Sequence, residues 1–105
     1  MLVIAFSVLA FGQKKSKEPQ EKAVSGLVTD ASGAPVPGAV VQLKNTKTLQ
    51  VRSFIAKDTG EYFFQGLTTD VDYELKAESN GKSSGTKVLS SFDSHPEAKI
   101  NLQLK

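Results

Sequence analysis

The stretch Thr59-Gly-Glu-Tyr-Phe-Phe-Gln-Gly-Leu67, followed after three intervening residues by Val71-Asp-Tyr-Glu-Leu-Lys-Ala77, decides the fold. Its first half packs three strand-favouring aromatics, Tyr62, Phe63 and Phe64, between Gly60 and Gly66. Its second half alternates strictly, with Tyr73, Leu75 and Ala77 on one side and Glu74, Lys76 and Glu78 on the other. Period-two alternation between glycine-bearing turns predicts antiparallel strands with one buried face. In this register Tyr62 and Phe64 point into a core and Phe63 points out.

The same pattern extends to both sides of this pair. Upstream, Ala23–Thr29 reads as a first strand, with Gly26 placed where a neighbouring backbone approaches closely. Asp30-Ala-Ser-Gly-Ala-Pro-Val-Pro-Gly38 follows and cannot be helical. Asp30 accepts from its own downstream backbone, Gly33 supplies positive φ, and Pro35 and Pro37 hold the exit extended. A second strand, Ala39–Asn45, turns Ala39, Val41 and Leu43 inward and Val40, Gln42 and Lys44 outward. A third runs from about Leu49 to Lys57, turned by Asp58-Thr59-Gly60 into the fourth, Glu61–Gln65. Downstream, Tyr73–Glu78 ends at Asn80-Gly81, a tight-turn pair. Lys82–Ser90 is a weak, serine- and glycine-rich sixth strand suited to an edge, and Ser91–Pro96 is a loop. Ala98–Leu104 closes the set, with Ile100, Leu102 and Leu104 in and Asn101 and Gln103 out. Seven strands at roughly ten-residue spacing without an amphipathic helix predict an all-β, seven-stranded antiparallel β-sandwich with Greek-key connections.

Composition narrows the function classes. A chain of 105 residues supports one core. A net charge of +2, with basic residues dispersed among acids, argues against nucleic acid. With no cysteine there is no disulfide, no thiolate nucleophile and no thiolate metal site. Leu2–Phe11 is an uncharged apolar run of ten residues. It is about half the ~20 needed for a membrane-spanning helix and within the ~7–15 of a secretory signal core. Ala10 and Gly12 sit two apart, as a signal peptidase site requires, although no Lys or Arg precedes the run. The expected organisation is a signal peptide over 1–12, a disordered charged linker over 13–22 and a β-sandwich over 23–105. The protein is then exported (periplasmic, cell-surface or secreted) and retains no stable membrane span once the signal is removed.

Three segments together, Val24-Ser-Gly-Leu-Val-Thr-Asp-Ala-Ser-Gly-Ala-Pro-Val-Pro-Gly-Ala39, Asp58-Thr-Gly-Glu-Tyr-Phe-Phe-Gln-Gly-Leu67 and Tyr73-Glu-Leu-Lys-Ala77, resemble the carboxypeptidase regulatory-like domain. The resemblance covers about residues 23 to 104. It implies a prealbumin-like (transthyretin-like) sandwich and an extracytoplasmic, non-catalytic module of the kind found beside peptidase domains, in outer-membrane receptors and in surface adhesins.

Candidate chemistry is sparse. The sole histidine, His95, lies beside Asp93 and Ser94 in a polar loop, and adjacency in sequence does not build a triad. Asp58, Asp70, Asp72 and Asp93 lie in or next to loops, where turn chemistry accounts for them without calcium. We therefore expect no catalytic residue, no metal and no cofactor. The candidate partner-binding residues are Val40, Phe54 and Phe63, read as apolar side chains on a sheet face. The expected partner is an envelope or extracellular protein, or alternatively a polysaccharide stacked on exposed aromatics. A long unblunted strand edge favours protein, and adjacent exposed aromatics flanked by Asn or Asp favour sugar.

Overall fold

The structure is a computed structural model describing residues 21–105. The expected signal peptide and most of the expected linker lie outside the described residues. Nine strand segments follow one another: β1 (Glu21–Thr29), β2 (Val40–Asn45), β3 (Val51–Ile55), β4 (Glu61–Thr68), β5 (Tyr73–Ser79), β6 (Lys82–Ser83), β7 (Lys87–Leu89), β8 (Glu97–Lys99) and β9 (Leu102–Gln103). One sheet runs β4-β1-β8, with β9 also on β1, and the other runs β3-β2-β5-β6, with β7 also on β5. β6 and β7 are two parts of one interrupted edge strand, as are β8 and β9, so the expected seven strands are present.

One expectation needs correcting. β1 pairs antiparallel with β4 but parallel with β8 and β9, so the sandwich is mixed. The Ser90–Pro96 loop returns the chain to the end of the sandwich where β1 begins, and the Ala23 N–H donates to the Pro96 carbonyl there. The last strand therefore runs beside the first in the same direction.

The core lies between the sheets and is built from the alternating positions of every long strand. Val24 and Val28 of β1 meet Val41 and Leu43 of β2, Tyr62, Phe64 and Leu67 of β4, and Tyr73, Leu75 and Ala77 of β5. Each large aliphatic side chain buried here stabilises by about 1.5–3 kcal/mol. Phe64 and Leu67 are three apart, so in an unbroken strand they would face opposite ways. Gly66, at φ 72°, absorbs the extra residue as the β1–β4 register shifts, and Leu67 returns to the core.

Both interrupted strands are held by side chains acting for backbone. Between β8 and β9 the Ile100 carbonyl turns inward under Gly26, where a Cβ would lie 1.9 Å from the oxygen. The Tyr62 hydroxyl donates to that carbonyl at 2.5 Å, and Asn101 Oδ1 accepts the Leu27 N–H at 3.0 Å. Burial pushes the Tyr62 phenol well above its usual range. Between β6 and β7 the buried Ser84 hydroxyl accepts the Ala77 N–H at 2.9 Å and donates to the Gly85 carbonyl. Ser84 also bridges to Leu104, joining the two sheets along that side.

Turn chemistry follows the sequence. Asp30 Oδ1 accepts the N–H groups of Ser32 and Ala34 and the Ser32 hydroxyl, while Gly33 sits at φ 89°. The Ser32 hydroxyl is the foremost cause holding the Asp30 carboxyl below its usual range, and the Ala34 N–H adds to it. Asn80 and Gly81 both take positive φ in the β5–β6 turn. Two boundaries move. β3 starts at Val51, not Leu49, because Leu49 adopts φ 66° in the preceding turn. β1 starts at Glu21, two residues into the expected linker. Lys22 is buried opposite Leu67 and donates from Nζ to the Ser90 carbonyl at 3.0 Å. Its aliphatic stem extends the apolar face while its amine reaches the rim.

Candidate functional site

The candidate site is the outer edge of β3. Ala56 N–H donates to Ala39 O, and Asn45 N–H donates to Gln50 O. Even-numbered residues of this strand therefore bond to β2, and antiparallel alternation turns the N–H and C=O groups of Val51, Ser53 and Ile55 away from it. Among the described residues β3 pairs only with β2. The same three residues carry their side chains on the outer face, with Val51 50 % and Ile55 60 % exposed. Leu49, 64 % exposed, continues this apolar border into the turn.

The other edges are closed or interrupted. β6 and β7 are broken at Ser84 and bridged by Leu104, and β8 and β9 are broken at Ile100–Asn101. On β4, Glu61 O accepts the Lys57 N–H, Gln65 O accepts from the Arg52 guanidinium at 3.1 Å, and the Gly66 bulge bends the strand. β3 has neither bulge, proline nor lysine to blunt its edge, and its one charge, Arg52, is turned inward over the Phe64 ring and onto the Gln65 carbonyl.

The expected binding residues Val40, Phe54 and Phe63 do not form one face. Val40 is half-buried on the outer face of β2, opposite Ile55. Phe54 lies opposite Val41 and packs inward, edge-on to Phe64 with ring centroids 6.0 Å apart. The Arg52 guanidinium covers the Phe64 ring from the same side at 5.6 Å. Phe63 is 39 % exposed on the opposite sheet, in a cross-strand row with Ser25 and Lys99. It borders a shallow groove of about 420 Å³ with Leu27, Lys57, Glu61, Lys99 and Asn101. Two aromatics line that groove, but Tyr62 is buried with its ring in the core and only Phe63 is exposed, and Asn101 Oδ1 is already engaged with Leu27. Sequence reasoning missed Val51 and Ile55 because it weighted aromatics. The usable signal was the register that places Phe54 opposite inward-facing Val41.

The His95 loop is a turn. Asp93 Oδ1 accepts the His95 N–H at 2.9 Å and meets His95 Nδ1 at 2.6 Å. The backbone N–H first, and the ring second, hold the Asp93 carboxyl below its usual range. Asp70 accepts locally from the Thr68 hydroxyl, and Asp72 accepts the N–H of Ser91 from the loop after β7. Among the described residues no three of His, Asp and Glu converge as metal ligands.

The family model for the carboxypeptidase regulatory-like domain matches residues 23–105. The chain belongs to that family. Solved structures show the carboxypeptidase regulatory-like fold recurring at low identity. A catechol 1,2-dioxygenase from Acinetobacter sp. ADP1 aligns at TM-score 0.59 and 13 % identity, over 82 % of this chain and 52 % of that one. This chain thus spans about half the length of that enzyme. The major pilin subunit BcpA of Bacillus cereus aligns at TM-score 0.63 and 12 % identity, over 82 % of this chain and 30 % of the pilin. The C-terminal domain of the shaft pilin SpaA of Lactobacillus rhamnosus GG aligns at TM-score 0.55 and 10 % identity, over 81 % of this chain and 98 % of that domain. No curated protein matches the chain in sequence. These likenesses establish a shared β-sandwich for the carboxypeptidase regulatory-like domain.

Proposed function

We propose that this domain is a non-catalytic, exported module that binds an extracytoplasmic protein through the outer edge of β3. The observation that carries the reading is the edge Val51–Ile55, uninterrupted and unpaired among the described residues, and bordered by the exposed side chains of Val51, Ile55 and Leu49. Main-chain groups on such an edge supply affinity by strand addition, and the alternate side chains supply selectivity. Family membership and the fold shared with pilin domains support a structural or interaction role. The apolar run Leu2–Phe11 supports export. A carbohydrate site would sit in the groove beside Phe63, which offers one exposed aromatic, Tyr62 being buried, where a stacking platform calls for several.

The test is photo-crosslinking in intact cells from a reactive residue at position 53, compared with one at position 76 in the middle of the same outer face. The expected result is a discrete protein adduct, identified by mass spectrometry, from position 53 alone and abolished by Ile55→Lys. No adduct from position 53, together with retention of the purified protein on polysaccharide that Phe63→Ser removes, would overturn the reading in favour of sugar.

A further inference from the structure

We propose that the occupant of the β3 edge is β3 of a second copy of this chain, antiparallel about a two-fold axis at Ser53. The inference rests on the reading of β3 as the interaction edge and names its partner.

Register selects the arrangement. The groups available for pairing belong to Val51, Ser53 and Ile55, so only registers that set odd residues against odd residues form hydrogen bonds. A two-fold at Arg52 would place two guanidiniums opposite each other. A two-fold at Phe54 would set exposed Ile55 against the partner's Ser53 and Val51 against the partner's Lys57. A two-fold at Ser53 sets Val51 against the partner's Ile55, Ser53 against the partner's Ser53, and Arg52 against the partner's Phe54, and leaves only Leu49, in the turn before the strand, against the partner's Lys57. Apolar then meets apolar on the outer face of the strand, and on the inner one Arg52, already lying over Phe64, neighbours the partner's Phe54.

In this register three hydrogen-bonded pairs exchange about six main-chain bonds. The outer face gains a row of Val40, Ile55 and the partner's Val51, repeated by symmetry, which covers the two exposed aliphatic side chains of β3 itself. The sheets of the two copies become continuous through β3. A strand that complements itself about Ser53 is the pattern an isologous contact requires, since the same patch must serve both sides.

The test uses the protein as the cell makes it, in sedimentation velocity at concentrations up to ~1 mM, which detects even an association of about 4 kcal/mol. The wild type is expected to sediment as a concentration-dependent dimer. Ser53→Lys, which opposes two ammonium groups on the axis, is expected to be a monomer with an unchanged circular dichroism spectrum. The chain has no cysteine, so Ser53→Cys offers a single thiol per copy. The Cα separation of a hydrogen-bonded pair, about 5.5 Å, lies within disulfide range. Mild oxidation is expected to give covalent dimer from Ser53→Cys and none from Gln42→Cys, one strand further in. A wild-type monomer throughout, a dimer that survives Ser53→Lys, or equal oxidation of the two cysteine variants would each overturn the proposal. The crosslinking result from position 53 then decides separately whether a different protein occupies the edge.

Discussion

Gly26→Ala tests the close approach on which the last strand depends. The new Cβ would lie 1.9 Å from the Ile100 oxygen and 2.6 Å from its carbonyl carbon. An ordinary C···O contact needs about 3.3 Å, so the backbone between β8 and β9 must retreat by ~1.4 Å. That shift breaks the 2.5 Å hydrogen bond from the Tyr62 hydroxyl and leaves two partly buried polar groups without their partner. Losing the bond costs about 1–3 kcal/mol, and the overpacking costs a further ~1–3. A folded unit of this size holds about 4–13 kcal/mol in total, so the variant is expected to lose a large share of its stability. Tyr62→Phe removes the same bond without the clash and is expected to cost about 1–3 kcal/mol. Because both substitutions act on the Ile100 carbonyl, urea unfolding of the double variant should fall short of the sum by more than ~1 kcal/mol. Additivity within ~0.5 kcal/mol would refute the shared-carbonyl argument. A pH series supplies a second readout. Burial raises the native Tyr62 phenol above its unfolded value of about 10. The neutral phenol therefore contributes its full stability below pH ~10 and loses it as pH rises toward the native value. The stability gap between wild type and Tyr62→Phe should accordingly narrow in alkali.

Leu49 sits at φ 66° with an exposed side chain, a conformation that costs a non-glycine residue about 1–2 kcal/mol. Leu49→Gly relieves that cost against a smaller gain in unfolded-chain entropy, and should raise stability by ~0.5–1 kcal/mol in thermal unfolding. Ser84→Ala removes the hydroxyl that accepts the Ala77 N–H. It should cost about 1–3 kcal/mol, with faster amide exchange localised at Ala77, and unchanged exchange there would discount the hydroxyl's role.

What was legible in the sequence was whatever depends on alternation and turn chemistry. The split between Phe63 and its neighbours Tyr62 and Phe64, the Asp30 loop and the Asn80-Gly81 turn all follow from residues within a few positions of one another. Gly26 signalled a close approach by its lack of a side chain, although Ile100 as the neighbour lies 74 positions away. The missed features depend on pairing between distant segments. Phe54 faces in because Val41 is its cross-strand partner, and no local pattern in Val51–Ile55 ranks phenylalanine above isoleucine for the core. Lys22 read as part of a charged linker because its burial is a property of its stem and of the Ser90 loop beneath which it lies. The direction of the last strand was hidden for the same reason, since alternation is identical in parallel and antiparallel strands.

The parallel pairing of β1 with β8 and β9 has a mechanical consequence. Glu21 lies at the end of the sandwich where β8 begins, and Lys105 lies at the other, beyond the Val28–Leu102 and Thr29–Gln103 pairs. Tension applied between these two points runs along the strands and loads their ladder in shear, so its hydrogen bonds strain together. Had the last strand run antiparallel to the first, both attachment points would share one end, and the same tension would unzip the bonds in turn.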